Sequence, residues 1–208
     1  VKMFTYYKKH GSIPVDSDID AIVNDMKPWY DNYCFAEEAL KKKTRMFNCD
    51  MVLYYLRNYM DAGCPPEEMI DPNTRTDYGK MKKLLQFDKL DGERKGIIRK
   101  IAEEEQIVTQ LYESFSAYHI PKAEIFPSLL FYYGMLTIKG TRGSKLILGI
   151  PNNNVRKQYY GYLEEEYQAK AYVDVNQLTD YYYDMAYDGK WEEGLRFMAD
   201  AYAKVSSV

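Results

Sequence analysis

Apolar residues along this chain recur mostly at helical spacing. Ile19, Ile22, Val23 and Met26 stand at offsets 0, 3, 4 and 7 on one helix face, with Asp16-Ser17-Asp18 ahead of them as capping candidates. Pro28 should limit or reshape that helix just before Trp29-Tyr30. Val52, Tyr55, Leu56 and Tyr59 repeat the spacing after Asn48, until Gly63 and Pro65-Pro66 end it. Pro72-Asn73-Thr74 opens a polar turn, and Met81, Leu84 and Leu85 mark a short helix beyond it. From Asp91 to about Tyr118 the pattern predicts a helix with a break, the acidic run Glu103–Glu105 forming its solvated face. Pro121 starts the next unit.

The period then changes. Leu136 and Ile138 alternate with Thr137 and Lys139, and Leu146, Leu148 and Ile150 alternate with Ile147 and Gly149. Gly140-Thr141-Arg142-Gly143 between the two runs supplies the turn of a β-hairpin. Pro151 ends it, and Asn152–Asn154 cap a helix bearing Val155, Tyr159, Tyr162 and Leu163. Two further helices follow, the last with Trp191, Leu195, Met198, Tyr202 and Val205 on one stripe, which predicts docking onto another surface. Residues Leu129–Val155, an apolar helix followed by the hairpin and a capped helix start, outline a small winged-helix module. Such a module either touches nucleic acid or packs against a neighbour.

Composition narrows this picture. A formal charge of −3 gives no global attraction to nucleic acid, so any such role needs a local patch. The 22 tyrosines suit half-buried helix faces and domain interfaces, since each carries apolar area with one polar tip. No run approaches the roughly 18–20 apolar residues of a membrane span. The start, Val1 to Tyr7, has neither a signal-peptide profile nor an initiator Met and reads as a segment of a longer or processed product. Cys34, Cys49 and Cys64 lack the close pairing of zinc ligands, and only His10 and His119 are there to complete a site; free thiols of a cytosolic protein are expected.

Candidate chemistry is sparse. Gly140-Thr-Arg-Gly-Ser-Lys145 offers Gly, Ser and Lys together, but its spacing and the strand that follows are wrong for a phosphate loop. Glu93-Arg94-Lys95 has the E-x-K spacing of metal-dependent nucleases, yet it stands at a helix start or loop instead of on a strand. His119 has no recognisable nucleophile beside it and reads as structural. Lys41-Lys42-Lys43 and Lys80, Lys82 and Lys83 read as solvated surface, and Asp188 to Leu195 has the flavour of one helical-repeat boundary without a second copy. Lys139, Arg142 and Lys145 on the wing, with Arg156 and Lys157 opening the next helix, are the candidate phosphate contacts. Against them, the helix before the hairpin, Phe126 to Tyr133, presents no base-reading residue except Ser128 and is apolar enough to be buried, so packing is the leading role.

Met26-Lys-Pro-Trp-Tyr-Asp-Asn-Tyr-Cys-Phe35, Phe47-Asn-Cys-Asp-Met-Val-Leu-Tyr-Tyr-Leu56, Asp71–Tyr78 and Leu130–Val155 occur in one order. By that ordered set, over almost its whole length, the chain resembles the middle of large bacterial AAA-ATPase-like proteins with a C-terminal PD-(D/E)XK nuclease superfamily domain. Members commonly carry Gly where Asn32 stands, a mild departure because Asn tolerates positive φ. The resemblance implies that the phosphate-binding loop lies before Val1 and the nuclease core after Val208, so neither motif maps onto a residue here. It implies three regions: 1–118 as a helical lid-like region following the ATPase core, 119–170 as the winged-helix-like module, and 171–208 as helices leading to the nuclease-like domain. The expected fold is mainly α, a helical bundle with a winged-helix-like module containing one small β-hairpin. The expected function is non-catalytic coupling, with the flanking ATPase-like and nuclease-like domains as partners, a cytoplasmic location, and no catalytic, cofactor or metal residues in the segment. ATP and Mg are implied only for the flanking domains. The alternative is a nucleic-acid-binding module using the local basic patch.

Overall fold

In the computed structural model, which describes residues 2–72, 92–114, 116, 118–171 and 174–206, caps read from the sequence start helices where they stand. The Asp18 carboxylate accepts hydrogen bonds from the Asp20 and Ala21 amides at 3.0 and 3.2 Å, opening α2 (Ile19–Tyr30) behind the short α1 (Lys2–Lys9). After α3 (Glu37–Lys41), the Asn48 side chain opens α4 (Cys49–Ala62) in the same way, and Gly63 closes it at φ 72°. Pro28 does not end α2. It sits close enough to the C-terminus that its missing N–H costs one hydrogen bond, and the Asp31 amide still donates to the Lys27 carbonyl. The expected short helix with Met81, Leu84 and Leu85, the turn residues Asn73-Thr74, and Lys80, Lys82 and Lys83 lie outside the described residues.

Phe4, Ile13, Ile22, Met26, Tyr30, Met51, Tyr55 and Leu56 form one buried cluster among α1, α2 and α4. Its two tyrosines keep their hydroxyls satisfied: Tyr30 donates to the Met69 carbonyl at 2.6 Å and Tyr55 to the Asp25 carboxylate at 2.8 Å. Burial pushes both phenols well above the ordinary tyrosine range, so they act as fixed neutral donors.

The sequence expectation of helix from residue 91 to 118 is corrected downstream of Glu104. Helix α5 (Glu93–Glu104) ends at Glu105, which takes φ 57°, and the chain continues as strand β1 (Gln106–Thr109). Ile107, Val108 and Thr109 are β-branched, and an antiparallel partner was available, so strand pairing prevailed over helix. A 3₁₀ turn at Ala123–Ile125 leads into α6 (Phe126–Tyr132), followed by β2 (Thr137–Arg142) and β3 (Lys145–Gly149). The sheet order is β1-β3-β2, antiparallel throughout, with Gln106 opposite Gly149 and Arg142 opposite Lys145. Helix, strand, helix and hairpin, with the first strand returning beside the third, is a winged-helix arrangement. Its first helix and strand extend it upstream of residue 119. Lys139 is the extra residue of a bulge between the Ile138–Leu148 and Gly140–Ile147 pairs.

Thr137, a polar residue in the alternation of β2, is fully buried. The reason is a segment 100 residues earlier, which lies along the outer edge of β2. The Cys34 amide donates to Thr137 Oγ1 at 2.6 Å, the Ile138 amide donates to the Cys34 carbonyl at 3.0 Å, and the hydroxyl points between the carbonyls of Asn32 and Cys34. Asn152, the cap of the next helix, donates from Nδ2 to the Asp31 carbonyl at 2.9 Å. On its other side the segment bridges to Met46 through Tyr33. Asn32 makes the turn into this segment at φ 76°, a conformation that Asn accepts better than other non-glycine residues.

The chain divides into two units, Val1–Tyr159 and Tyr160–Val208, and α7 (Asn153–Ala171) begins in the first and ends in the second. In the second unit, the Asp174 side chain caps α8 (Val175–Asp188), Gly189 turns at φ 68°, and α9 (Glu192–Ser206) returns. The expected stripe on α9 is not the one packed on α8. Gly194 brings the backbones together, a Cβ there standing 3.3 Å from Tyr181 Cβ, and the Tyr181 and Phe197 rings lie 5.3 Å apart. Close approach favours the face carrying the glycine, and Trp191, Leu195 and Tyr202 are left exposed at 52%, 48% and 75%.

Thr137→Val should cost about 1–3 kcal/mol, because it strands the Cys34 N–H in a buried site, while Thr137→Ser retains most of the stability. Urea midpoints of the three proteins test this; equal midpoints for wild type and Thr137→Val would remove the hydroxyl from the list of stabilising contacts.

Candidate functional site

Helix α6 occupies the place that a nucleic-acid-reading winged helix inserts into a groove. Here Phe126 through Phe131 are all buried, and only Tyr132 and Tyr133 at its end are exposed. Phe35 meets Phe131 edge-on at 5.5 Å, and the turn at Gly134 (φ 74°) places the Tyr33 ring 3.8 Å from where a Cβ would stand. From α5, the fully buried Arg94 lies over the Phe126 ring at 5.0 Å and donates to the Ile120 carbonyl. Glu93-Arg94-Lys95 therefore sits at a helix start, where its middle residue packs, and forms no strand-borne acid–lysine pair.

The structure divides the basic residues singled out in the sequence. Arg142 and Lys145 face each other across the hairpin tip, both exposed. Lys139 lies three residues before Arg142 on β2, about 10 Å away along the strand. Arg156 is not a free cation. Its guanidinium grips Glu105 with two parallel hydrogen bonds, Nε–Oε1 2.7 Å and Nη2–Oε2 3.0 Å, and Nη1 donates to Asn153 Oδ1. Lys157 lies on another face of α7, its ammonium over the Trp29 ring at 5.0 Å. Lys139 and Arg156 are brought together at a second place, an open cleft of about 540 Å³ that Asn32, Glu104, Glu105, Gln106 and Asn152 also line.

The sequence missed two participants. Glu105, read as solvated, ends α5 in a left-handed turn, accepts the Ile150 amide at its carbonyl, and offers its carboxylate to Arg156. Arg45, next to the Tyr33–Met46 bridge, acts with Arg156 on Lys139. No local pattern signals either contact. The Lys139 stem crosses Gly149, where an added Cβ would come within 2.8 Å of Lys139 Cγ and 3.0 Å of the Glu105 carbonyl. Partial burial of that stem, then the charges of Arg45 and Arg156, hold the ammonium pKa below its ordinary value, with Glu105 opposing. Glu105 is shifted down, first by the hydrogen bond from Arg156.

Among the described residues no three His, Cys, Asp or Glu side chains are gathered to hold a metal ion, and no helix is long and apolar enough to cross a membrane. The cysteines carry no disulfide, and His119 Nδ1 lies 3.2 Å from Ser116 Oγ in a turn. No known family model, curated protein or solved structure matches this chain.

Two titrations follow with opposite signs. The lowered pKa of Glu105 means that its bond to Arg156 contributes above the ordinary carboxylate range and is lost as pH falls through that range. Both side chains are partly exposed, so Arg156→Gln should cost under about 1 kcal/mol at neutral pH and less at about pH 2, read from urea midpoints; an equal cost at both would sever the effect from this ion pair. The lowered pKa of Lys139 means that its protonated form is disfavoured in the fold, a penalty present at neutral pH and relieved as pH rises through the folded pKa. Lys139→Gln should therefore raise the melting temperature at neutral pH, and a lower one would refute the charge-crowding account.

Proposed function

We propose that this chain is a non-catalytic coupling segment, joining an ATPase-like domain to a nuclease-like domain within a larger bacterial protein of the cytoplasm. The burial of α6 carries the reading: the helix that a nucleic-acid reader would present is buried from Phe126 to Phe131, and Phe35 from the helical region meets Phe131 at its end. A winged helix closed in this way transmits position between the parts it packs against. The ordered motifs from Met26 to Val155 supply the ATPase-like and nuclease-like context. In that setting ATP and Mg belong to the flanking domains, and the exposed Trp191, Leu195 and Tyr202 offer apolar surface to a domain partner.

A second reading, a nucleic-acid-binding module, is favoured by Arg142 and Lys145, which stand exposed at the wing tip. Fluorescence anisotropy with labelled single- and double-stranded DNA and RNA, at low and moderate salt, separates the two. The coupling reading expects no saturable binding at micromolar protein. Salt-sensitive binding abolished by Arg142→Ala with Lys145→Ala would replace it with the second.

A further inference from the structure

We propose that the outer edge of β1, with the groove between β1 and α5, seats a second copy of this chain, the two copies pairing across a two-fold axis into one continuous sheet. The sheet has two edges, and the segment around Cys34 closes only the β2 edge. On β1 the ladder to β3 fixes which groups turn outward. The Glu105 carbonyl accepts the Ile150 amide, so Glu105, Ile107 and Thr109 face β3, and Gln106 and Val108 present their N–H and C=O groups to the other side. Among the described residues no backbone hydrogen bond reaches those outward groups. Open edges are ordinarily blunted by charge, proline or a bulge. Gln106–Thr109 carries none of these, and Val108 is 37% exposed.

The groove points to the occupant. It is open, about 580 Å³, and walled on one side by Glu93, Gly96, Ile97 and Lys100 of α5 and on the other by the chain from Ile107 to Gln110. No contact within the monomer accounts for Gly96. It stands inside a helix, where glycine is less stable than alanine, and a Cβ there would meet nothing within 4 Å. The four α5 residues are their own complement. Turned antiparallel about the midpoint between Gly96 and Ile97, they set Glu93 beside Lys100 of the second copy, Lys100 beside its Glu93, and Ile97 against the space left by its Gly96. Lys100 is free to exchange partners, since its ion pair with Glu104 is 4.0 Å long and exposed on both sides. Strand and helix agree on where the axis falls. Thr109 stands about 13 Å beyond the Glu105 turn at roughly 3.3 Å per strand residue. Gly96 stands about 13 Å before that turn at roughly 1.5 Å per helix residue. One axis perpendicular to the sheet therefore serves both layers and keeps the two α5 helices on one face, where a glycine at the contact lets them approach closely.

The test is sedimentation velocity of the whole chain from low to high micromolar concentration, and a reversible monomer–dimer equilibrium is expected. Val108→Pro removes an outward N–H while leaving the ladder to β3 intact, and should weaken the dimer roughly tenfold or more. Gly96→Leu fills the groove and should weaken it as much, with the melting temperature kept or raised. Glu93→Lys and Lys100→Glu each set like charges together and weaken self-association, whereas an equimolar mixture of these two variants restores the dimer, because every pair is then opposite in sign. A monomer at every concentration overturns the proposal. A dimer that Val108→Pro and Gly96→Leu leave unchanged belongs to another surface, such as that of Trp191, and overturns it as well. Cooperative melts of each variant show that a lost dimer is not a lost fold, and the two charge variants, both at exposed positions, decide the matter if Val108→Pro does not fold. The dimer goes beyond the coupling reading and fails apart from it, since sedimentation involves neither nucleic acid nor a flanking domain.

Discussion

The first unit depends on satisfying one edge of a small sheet. A hairpin of two short strands leaves a row of unpaired N–H and C=O groups on each side, and such an edge is unstable unless covered or solvated. On β2 the cover is the chain itself: Cys34 pairs with Ile138, and Thr137 turns its hydroxyl inward to serve the backbone of the same segment. Because that hydroxyl is buried, removing it would leave polar groups without water, and this asymmetry is what fixes the register of residues 31–35.

Once the segment is fixed, the rest of the arrangement follows. Phe35 is carried onto Phe131 of α6 and Tyr33 onto the turn at Gly134, Met46 is bridged on the far side, and the Asp31 carbonyl accepts from the cap of α7. The winged helix is thus joined to the helical region through backbone hydrogen bonds as well as ring packing.

Local signals carried the sequence reading as far as they reach. Asp18 and Asn48 announced helix starts because a cap acts within three residues, and the hairpin was legible because strand alternation and its turn are contiguous. Strand β1 was missed because a polar, acidic approach through Glu103–Glu105 hid the left-handed break at Glu105. Thr137 and Glu105 took roles set by partners 103 and 51 residues away, beyond any periodicity. On α9 the eye is drawn to the large residues Trp191, Leu195 and Tyr202, whereas helix approach was decided by Gly194, which adds nothing to an apolar stripe. Basic residues could be picked out by type, but the bulge and the glycine that direct Lys139 belong to backbone geometry.

The contact between Cys34 and Thr137 also sets an order of events in time. Hairpin and α6 are assembled from neighbours in sequence, whereas the Cys34–Thr137 contact closes a separation of 103 residues, which is slow to find. During refolding the β2 edge and the apolar face of α6 therefore exist before their cover arrives. In that interval an edge strand beside exposed Phe and Leu side chains can pair with another molecule, so the rate of misassembly should rise with protein concentration even though the finished fold conceals the surface responsible.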